Sequence, residues 1–323
     1  MRIVVSMTVL ATTLACSFAS APAYARARVF VASYGNDSNP CTFGSPCRNF
    51  QQAINVVDSG GEVTAIDSAG FGSVSIAKPV TITSPDGVEA GIVPNPGSPG
   101  ISINTTGDVF LRGLTIEGNN SGTDGISLTG GGIGTVTTLG IVHCVIRHFT
   151  HDGIYLQPTN TLHLSIIDTI ASNNGLEGID LSPSGNGTMH GVVDHSTASS
   201  NSGDGITVWG SNSTLRIPDY LGIEIVNSVA STNGVNGVKV HSTAGTVATQ
   251  VTVHDTSASL NGNDGFLIEG GNVFEDVFLA HVVATLNVNH GAEGSNLTSF
   301  GDNHISGNIN GDTSGSWGTA SFH

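Results

Sequence analysis

The sequence predicts an all-β fold, a parallel β-helix in which short strands stack coil upon coil. The first observation is a phrase that returns seven times: an acidic or amide residue, a glycine and an apolar residue, degenerate in its last copy. Successive glycines stand 28, 25, 27, 32, 28 and 26 residues apart. They are Gly125, Gly153, Gly178, Gly205, Gly237, Gly265 and Gly291. A repeat of this length marks a solenoid, since each unit buries its apolar face only against its neighbours.

The second observation concerns apolar residues one and three positions after these glycines, such as Ile154 with Leu156 and Ile206 with Val208. The apolar runs are short, alternate with polar residues, contain many β-branched side chains and end at Gly, Asn or Ser. This pattern is typical of strands. No repeat contains an apolar stripe of helical period, so leucine-rich, ankyrin and tetratricopeptide arrays are excluded.

The third observation is an asparagine that stands four residues before five of the repeat glycines. These residues are Asn174, Asn201, Asn233, Asn261 and Asn287. Strands stacked about 4.8 Å apart bring identical side chains together, and stacked amides form hydrogen-bonded ladders. The sequence therefore predicts one continuous asparagine ladder.

Residues 1–25 have the features of a secretory signal, with Arg2, an apolar run and a small-residue cleavage site ending at Ala25. We expect cleavage there and export to the periplasm or the exterior. A lipoprotein anchored at Cys16 is the less favoured alternative, because Thr13 stands where an apolar residue is needed. No later run is apolar and long enough to form a transmembrane helix.

The composition is acidic. Loss of Arg2 with the leader changes the formal net charge from −16 to −17. Nucleic acids and anionic membranes are unexpected partners, because both need basic patches. Binding of an acidic polymer would require a bridging cation, for which Ca²⁺ is the candidate, and no other cofactor is indicated.

Three cysteines follow the leader. In an exported protein, Cys41 and Cys47 are expected to form a disulfide that holds the loop between them. Cys144 lies beside a predicted strand and is expected to be a small buried side chain.

The stretch from Phe50, FQQAINVVDSGGEVTAIDSAGFGSVSIAKPVTITSPDG, together with the repeats, resembles right-handed parallel β-helix proteins of the pectate-lyase-like, or pectin-lyase-fold, group. The resemblance implies a short N-terminal capping helix and covers nearly all of the chain after the leader. It predicts a cap over 26–60, a β-helix over 61–310 and a C-terminal tail over 311–323. The group contains lyases, hydrolases, epimerases, adhesins and proteins of no known activity, so no enzyme branch is assigned.

Acidic residues immediately before the repeat glycines are candidates for acid–base catalysis, namely Asp152, Glu177 and Asp204. Carboxylates on neighbouring coils would lie about 5 Å apart, and pairs that share a proton divide into acid and base. The alternative is turn chemistry, because Asp-Gly and Asn-Gly favour sharp turns. A polygalacturonase-like Asn-x-Asp-Gly phrase is imperfect around Asn201, and the other signatures of that branch are missing.

A second polar column, two residues after the glycine, faces outward from the next strand. It contains Tyr155, Asp180 and Lys239, which are candidates for substrate binding, metal binding and catalysis, respectively. Asp180 and Asp204 are the candidate metal ligands. The resemblance to pectate lyases implies calcium-binding acids and a basic proton acceptor on this face. However, only half of the Arg-x-Pro-x-x-Arg signature is present, because Leu221 stands where the second arginine belongs.

Two further features are candidate sites. A column ten residues before the glycine contains His143, Asp168 and His195, a set that suits a metal site. The alternative is a structural role, because the column falls at a predicted bend between strands, where small polar residues are expected. The longest coil contains an insertion that carries Trp209, Arg216 and Tyr220. Aromatic side chains there suit stacking on sugars, and the guanidinium suits a carboxylate. The alternative is that Trp209 packs against the next coil and the insertion has no function.

The sequence therefore indicates an exported protein that binds a polysaccharide along a groove of the β-helix, and cleaves or epimerises it if it is an enzyme. If it is an enzyme, the class is a polysaccharide lyase, a glycoside hydrolase or an epimerase. The alternative is a non-catalytic structural or adhesive protein of the cell envelope or surface. The sequence does not decide between these two functions, and it does not identify the polysaccharide or the oligomeric state.

Overall fold

The computed structural model describes residues 26–105, 107–129, 138–210, 221–242, 249–270 and 275–320. The predicted leader and the candidate residues Arg216 and Tyr220 lie outside these ranges. Strands within the described ranges pair in parallel and form three long sheets. Sheet 1 has 12 strands, β1 (Arg28–Val31), β2 (Gly61–Ala65), β5 (Val80–Thr83), β8 (Val109–Arg112), β11 (Thr138–Val142), β14 (Thr161–Ile167), β17 (Thr188–Asp194), β20 (Leu221–Val226), β22 (Thr249–His254), β24 (Glu275–Ala280), β27 (Leu297–Ser299) and β30 (Trp317–Thr319).

The other sheets run alongside sheet 1. Sheet 2 has 10 strands, β4 (Val74–Ile76), β7 (Ile101–Ile103), β10 (Ile126–Thr129), β13 (Ile154–Gln157), β16 (Ile179–Leu181), β19 (Ile206–Trp209), β21 (Val238–Ser242), β23 (Phe266–Gly270), β26 (His290–Gly294) and β29 (Gly311–Ser314). Sheet 3 has six strands, β3 (Ala69–Gly70), β6 (Ala90–Ile92), β9 (Leu114–Glu117), β12 (Val145–Arg147), β15 (Ile170–Ser172) and β18 (Thr197–Ser199), and single bridges continue it to the pair β25 (Val283–Thr285) and β28 (His304–Ser306).

Most coils of the repeat region contribute one strand to each sheet, and the inward side chains fill one continuous core. In sheet 2, Ile126, Ile154, Ile179 and Ile206 lie in register on successive coils and are 0% exposed. Each isoleucine lies in register with another β-branched apolar residue on both neighbouring coils, as Ile206 does with Ile179 and Val238, so burial depends on neighbouring coils. Strands β29 and β30 continue two of the sheets beyond residue 310.

One helix, α1 (Phe50–Val56), covers the first coils, and it is the only helix among the described residues. Its buried face includes Phe50, whose ring centroid lies 5.0 Å from that of Phe71. This is the predicted capping helix. The predicted disulfide between Cys41 and Cys47 is also present, and Cys144 is a buried free thiol.

The predicted asparagine ladder is confirmed. Nδ2 of each ladder residue donates to Oδ1 of the next over 2.9–3.2 Å, and Asn308 extends the ladder by one coil. The same oxygens accept the backbone N–H of the preceding ladder residue, as Asn233 Oδ1 does from Asn201 at 3.1 Å. The ladder therefore satisfies backbone and side-chain groups in the turn between sheets 3 and 2.

The histidine and aspartate column lies at a bend between sheets 1 and 3. Its members have left-handed backbone conformations, with φ of 53° at His143, 49° at Asp168 and 48° at His195. Asn, Asp and His tolerate this conformation better than most residues. His143 Nε2 lies 3.0 Å from Asp168 Oδ2, whereas His195 Nδ1 pairs with Asp194 at 2.6 Å. These three side chains form no group of three convergent metal ligands, so the residue types reflect the bend.

Candidate functional site

The second polar column lies in register on sheet 2, as the sequence predicts. Tyr155 pairs with Asp180, Asp180 with Thr207, and Thr207 with Lys239. Asp180 and Lys239 are therefore two coils apart on one face of the β-helix. We call the outward side of β13, β16, β19 and β21, with the acids that precede these strands, the sheet-2 face.

Asp152 and Glu177 form a carboxyl pair at the start of this face. Asp152 is 6% exposed, and its Oδ1 accepts the backbone N–H of Glu177 at 2.9 Å. Burial, a hydrogen bond between the two carboxyl groups and the charges of Glu177 and Asp180 raise the pKa of Asp152 to about 9. Asp152 therefore keeps its proton at neutral pH, beside the half-buried Glu177.

Asp180 lies on the same face and is half-buried. Burial raises its pKa to about 7, with contributions from the charges of Glu177 and Asp204, and a hydrogen bond from the Ser182 hydroxyl opposes the shift. Burial and the charges of nearby carboxylates, Asp180 foremost, also raise the pKa of Tyr155. The pKa values of Asp152 and Asp180 therefore differ from each other and from the ordinary value, as those of groups in acid–base sites commonly do.

Asp204 has a different environment from the one expected of a surface catalyst. It is 5% exposed, and Oδ1 accepts both the backbone N–H and Nδ2 of Asn236, each at 2.8 Å. Asp264 likewise accepts the N–H of His290 at 2.7 Å. Several residues before the repeat glycine thus bond the backbone of the next coil. This is a structural role, although it is not the sharp-turn chemistry that the sequence offered as the alternative.

The candidate metal ligands Asp180 and Asp204 lie on successive coils, but no third His, Cys, Asp or Glu side chain in the described part of the chain converges with them. Within the described ranges, the only His, Cys, Asp or Glu group of three with ligand atoms within 4.8 Å lies elsewhere. Asp204 is also committed to Asn236. A calcium ion at this position would need Asp204 to turn outward.

Lys239 belongs to a second cluster on the sheet-2 face. Its Nζ lies 3.0 Å from Glu269 Oε2 and 5.9 Å from the ring centroid of Trp209. The rings of Trp209 and His241 meet edge to face at 4.4 Å, and His241 Nδ1 lies 3.4 Å from the same Glu269 oxygen. Trp209 is 37% exposed, so part of its ring is available to a ligand.

Sequence reasoning missed Glu269 and His241, although a signal was present. Trp209, His241 and Glu269 each stand four residues after a repeat glycine, and they pair in register on β19, β21 and β23. An alignment of one more column would have placed them beside Lys239.

Residues 81–219 match the family model described as a right handed beta helix region. The fold is a right-handed parallel β-helix. The β-helix superposes on the solved structure of pectate lyase Pel9A with a TM-score of 0.53 and 16% identity, over 91% of this chain and 77% of the lyase. A rhamnogalacturonan lyase aligns with a TM-score of 0.50 and 14% identity, over 84% of this chain and 72% of that one.

No curated protein matches the β-helix significantly in sequence. Identities this low establish a shared fold and leave the chemistry to the side chains of this chain. No helix among the described residues is long and apolar enough to cross a bilayer.

Proposed function

We propose that this β-helix protein is exported and acts on a polysaccharide bound along the sheet-2 face, with proton transfer at the Asp152–Glu177 pair during cleavage or epimerisation. The Asp152–Glu177 pair is the main support for this proposal. The pKa of Asp152 is raised to about 9, so it retains a proton that it can exchange with the half-buried Glu177 at the surface. The likeness of the fold to polysaccharide lyases supports the substrate class.

The two carboxyls have separate roles in this proposal. Asp152 is almost fully covered, so it supplies or takes up the proton through its hydrogen bond to Glu177. Glu177 is the group that contacts the sugar. Asp180, whose pKa is about 7, lies on the next strand and takes up protons over the pH range in which enzymes work.

The cluster around Lys239 provides contacts that would bind the polysaccharide in this proposal. Trp209 and Tyr155 offer partly exposed rings to sugar faces. Lys239 is oriented by Glu269 and suits a hydroxyl or carboxylate of the polymer. The predicted role of proton acceptor requires that its ammonium first give up a proton. Arg216 and Tyr220 remain predicted contacts in the neighbouring segment. For an acidic polymer we propose that Ca²⁺ bridges the ligand to Asp180 and to Asp204, whose side chain turns outward from Asn236 to bind the ion.

A panel of plant and bacterial polysaccharides tests the proposal, with binding measured by affinity electrophoresis and products by new reducing or unsaturated ends. Glu177→Gln should reduce product formation by about 100-fold or more while polymer binding is retained. Glu224→Gln is the matched control, because Glu224 is an exposed acid on sheet 1. Equal activity of the two variants would contradict the assigned role.

The calcium bridge has its own test. Asp180→Asn should weaken calcium-dependent binding of an acidic polymer, whereas Asp168→Asn, at the bend, should not. Unchanged binding in both variants would remove the bridge from the proposal.

A non-catalytic envelope or surface protein is the second candidate, and one observation favours it. The carboxylates of Asp204 and Asp264 accept hydrogen bonds from backbone N–H groups of the next coil, as those of structural residues do. Failure of every polymer to bind, with or without calcium, would leave this candidate standing.

Export is supported by the disulfide between Cys41 and Cys47, because such bridges persist in oxidising compartments. Expression of the full chain followed by fractionation and intact mass tests it. We expect material outside the cytoplasm that begins at Arg26. Uncleaved protein in the cytoplasm would contradict export.

A further inference from the structure

A second polar site lies two coils beyond Lys239, near the C-terminal end of sheet 2. Asp264 immediately precedes the repeat glycine before β23, and His290 and Glu293 belong to β26. One ligand atom from each residue can be chosen so that all three lie within 4.8 Å of one another. This group of three residues does not include any of the acids of the sheet-2 face.

The geometry converges on one atom of the imidazole ring. His290 Nδ1 lies 2.9 Å from Glu293 Oε2 and 3.5 Å from Asp264 Oδ1. A zinc ion about 2.1 Å from each of two tetrahedral ligand atoms holds those atoms about 3.4 Å apart. The two observed separations bracket this value.

His254 shows what a histidine between two acids looks like without such convergence. Its Nε2 lies 3.0 Å from Glu224 Oε1, and its Nδ1 lies 2.9 Å from Asp255 Oδ2. The two carboxylates bond opposite nitrogens of the ring, so one ion cannot contact all three groups. This histidine is a matched control for His290.

Neighbouring groups fix two of the three candidate ligands. Asp264 is 1% exposed, and it accepts the backbone N–H of His290 at 2.7 Å and Nδ2 of Asn263 at 2.9 Å. Asn289 Nδ2 donates to Glu293 Oε2 at 3.2 Å. Metal ligands are typically held by such outer hydrogen bonds. The side chains of His290 and Glu293 are 18% and 36% exposed, so one side of the group is open to water.

We propose that Asp264, His290 and Glu293 bind a divalent first-row transition-metal ion, for which Zn²⁺ is the probe, with solvent in the remaining positions. One imidazole and two carboxylates form a donor set that zinc accepts, whereas Ca²⁺ takes six to eight oxygen ligands. The ion replaces the hydrogen bond between His290 and Glu293 and offsets two carboxylates in a chain of net charge −16. The site requires no polysaccharide, so its test is independent of the proposed function.

Isothermal titration of chelator-treated protein with ZnCl₂ tests the site, with CaCl₂ as the second titrant. Zinc should bind with a component that saturates at one ion per chain and should raise the melting temperature. His290→Gln and Glu293→Gln should each weaken that component at least tenfold and abolish the zinc-dependent rise. His254→Gln should behave as wild type in both measurements.

Circular dichroism and metal-free melting temperatures establish that the variants fold. Absence of saturable zinc binding in the wild-type protein, or equal loss in His254→Gln and His290→Gln, would overturn the proposal. Calcium binding as tight as zinc binding and unaffected by His290→Gln would overturn the assignment to a transition metal.

Discussion

Asn233 donates a hydrogen bond from Nδ2 to Oδ1 of Asn261, 3.2 Å away on the next coil. The same nitrogen donates to the Ala198 carbonyl at 3.0 Å, and Asn233 Oδ1 accepts two hydrogen bonds from Asn201 at 3.1 Å. One side chain that is 2% exposed thus connects three coils. The turns between sheets 3 and 2 depend on these amides, because water does not reach the groups that they satisfy.

Asn233→Leu should therefore reduce the free energy of unfolding by about 3 kcal/mol or more, since each buried polar group left unpaired costs about 1–3 kcal/mol. Asn95→Leu, in an exposed turn, should change it by about 0.5 kcal/mol or less. Urea denaturation measures both values. Similar values for the two variants would contradict a stabilising role for the ladder.

The residues five positions before the repeat glycines provide a second stability test. Leu260 has φ of 61° and is 54% exposed, whereas Asn173, at the equivalent position, has φ of 57°. A left-handed conformation costs most side chains about 1–2 kcal/mol and costs asparagine less. Leu260→Asn should stabilise the protein by about 1 kcal/mol, and Asn173→Leu should destabilise it by a similar amount. Denaturant midpoints that shift in the same direction for both variants would refute this account.

Asp152 makes stability depend on pH. Its pKa is about 9 in the folded protein, against an ordinary value of 3.8. The folded state therefore keeps a proton that the unfolded chain releases. The contribution is fully present below about pH 4 and is lost as pH rises towards 9.

Asp152→Asn removes this titration and retains an oxygen that accepts the Glu177 N–H. Relative to wild type, the variant should become progressively more stable between pH 5 and pH 9. Asp86→Asn is the control and should show no such trend, because the Asp86 side chain is 91% exposed and its charged partner is Arg112. Melting temperatures measured across this range decide the matter, and parallel curves for wild type and Asp152→Asn would show that Asp152 is ionised when folded.

Cys144 should be inert. Its side chain is 0% exposed, and burial raises the pKa of its thiol to about 11. Since the thiolate is the reactive form, reaction with a thiol reagent should be slow until the protein unfolds. Protein purified without reductant and without residues 1–25 should show one thiol after denaturation, because Cys41 and Cys47 are bonded. Detection of three thiols would contradict the bridge.

The sequence predicted the fold because a solenoid repeats its local rules. Each coil must place an apolar residue inward after the glycine and an amide in the turn, so Ile154 and Asn174 have counterparts at fixed intervals. The capping helix was implied by the resemblance to right-handed β-helix proteins, and the disulfide was expected because Cys41 and Cys47 lie six residues apart behind a predicted leader. These features depend on contacts within a coil or between adjacent coils.

The direction and partners of polar side chains were decided by the tertiary structure. The sequence placed Asp152, Glu177 and Asp204 in one column on neighbouring coils. Only the assembled coils show that Asp152 is buried and accepts the Glu177 N–H, and that Asp204 is held by Asn236. The backbone N–H of Cys144 donates to the buried hydroxyl of Thr169, 25 residues away, and the N–H of Thr169 donates to the Ser196 hydroxyl on the next coil. The sequence analysis did not predict this ladder of hydroxyl groups.

The repeat length varies from 25 to 32 residues, so columns stay in register only when the coils are aligned on the repeat glycines. Lys239, Trp209 and Glu269 meet, and so do Asp264 and His290, because stacking brings coils to the inter-strand spacing regardless of the residues between them. The sequence by itself determined the repeat, the strands and the inward faces, since these follow from local periodicity and burial. The tertiary structure decided which charged groups share a proton or converge on one point, because pKa values and ligand geometry depend on the distances and burial that stacking creates.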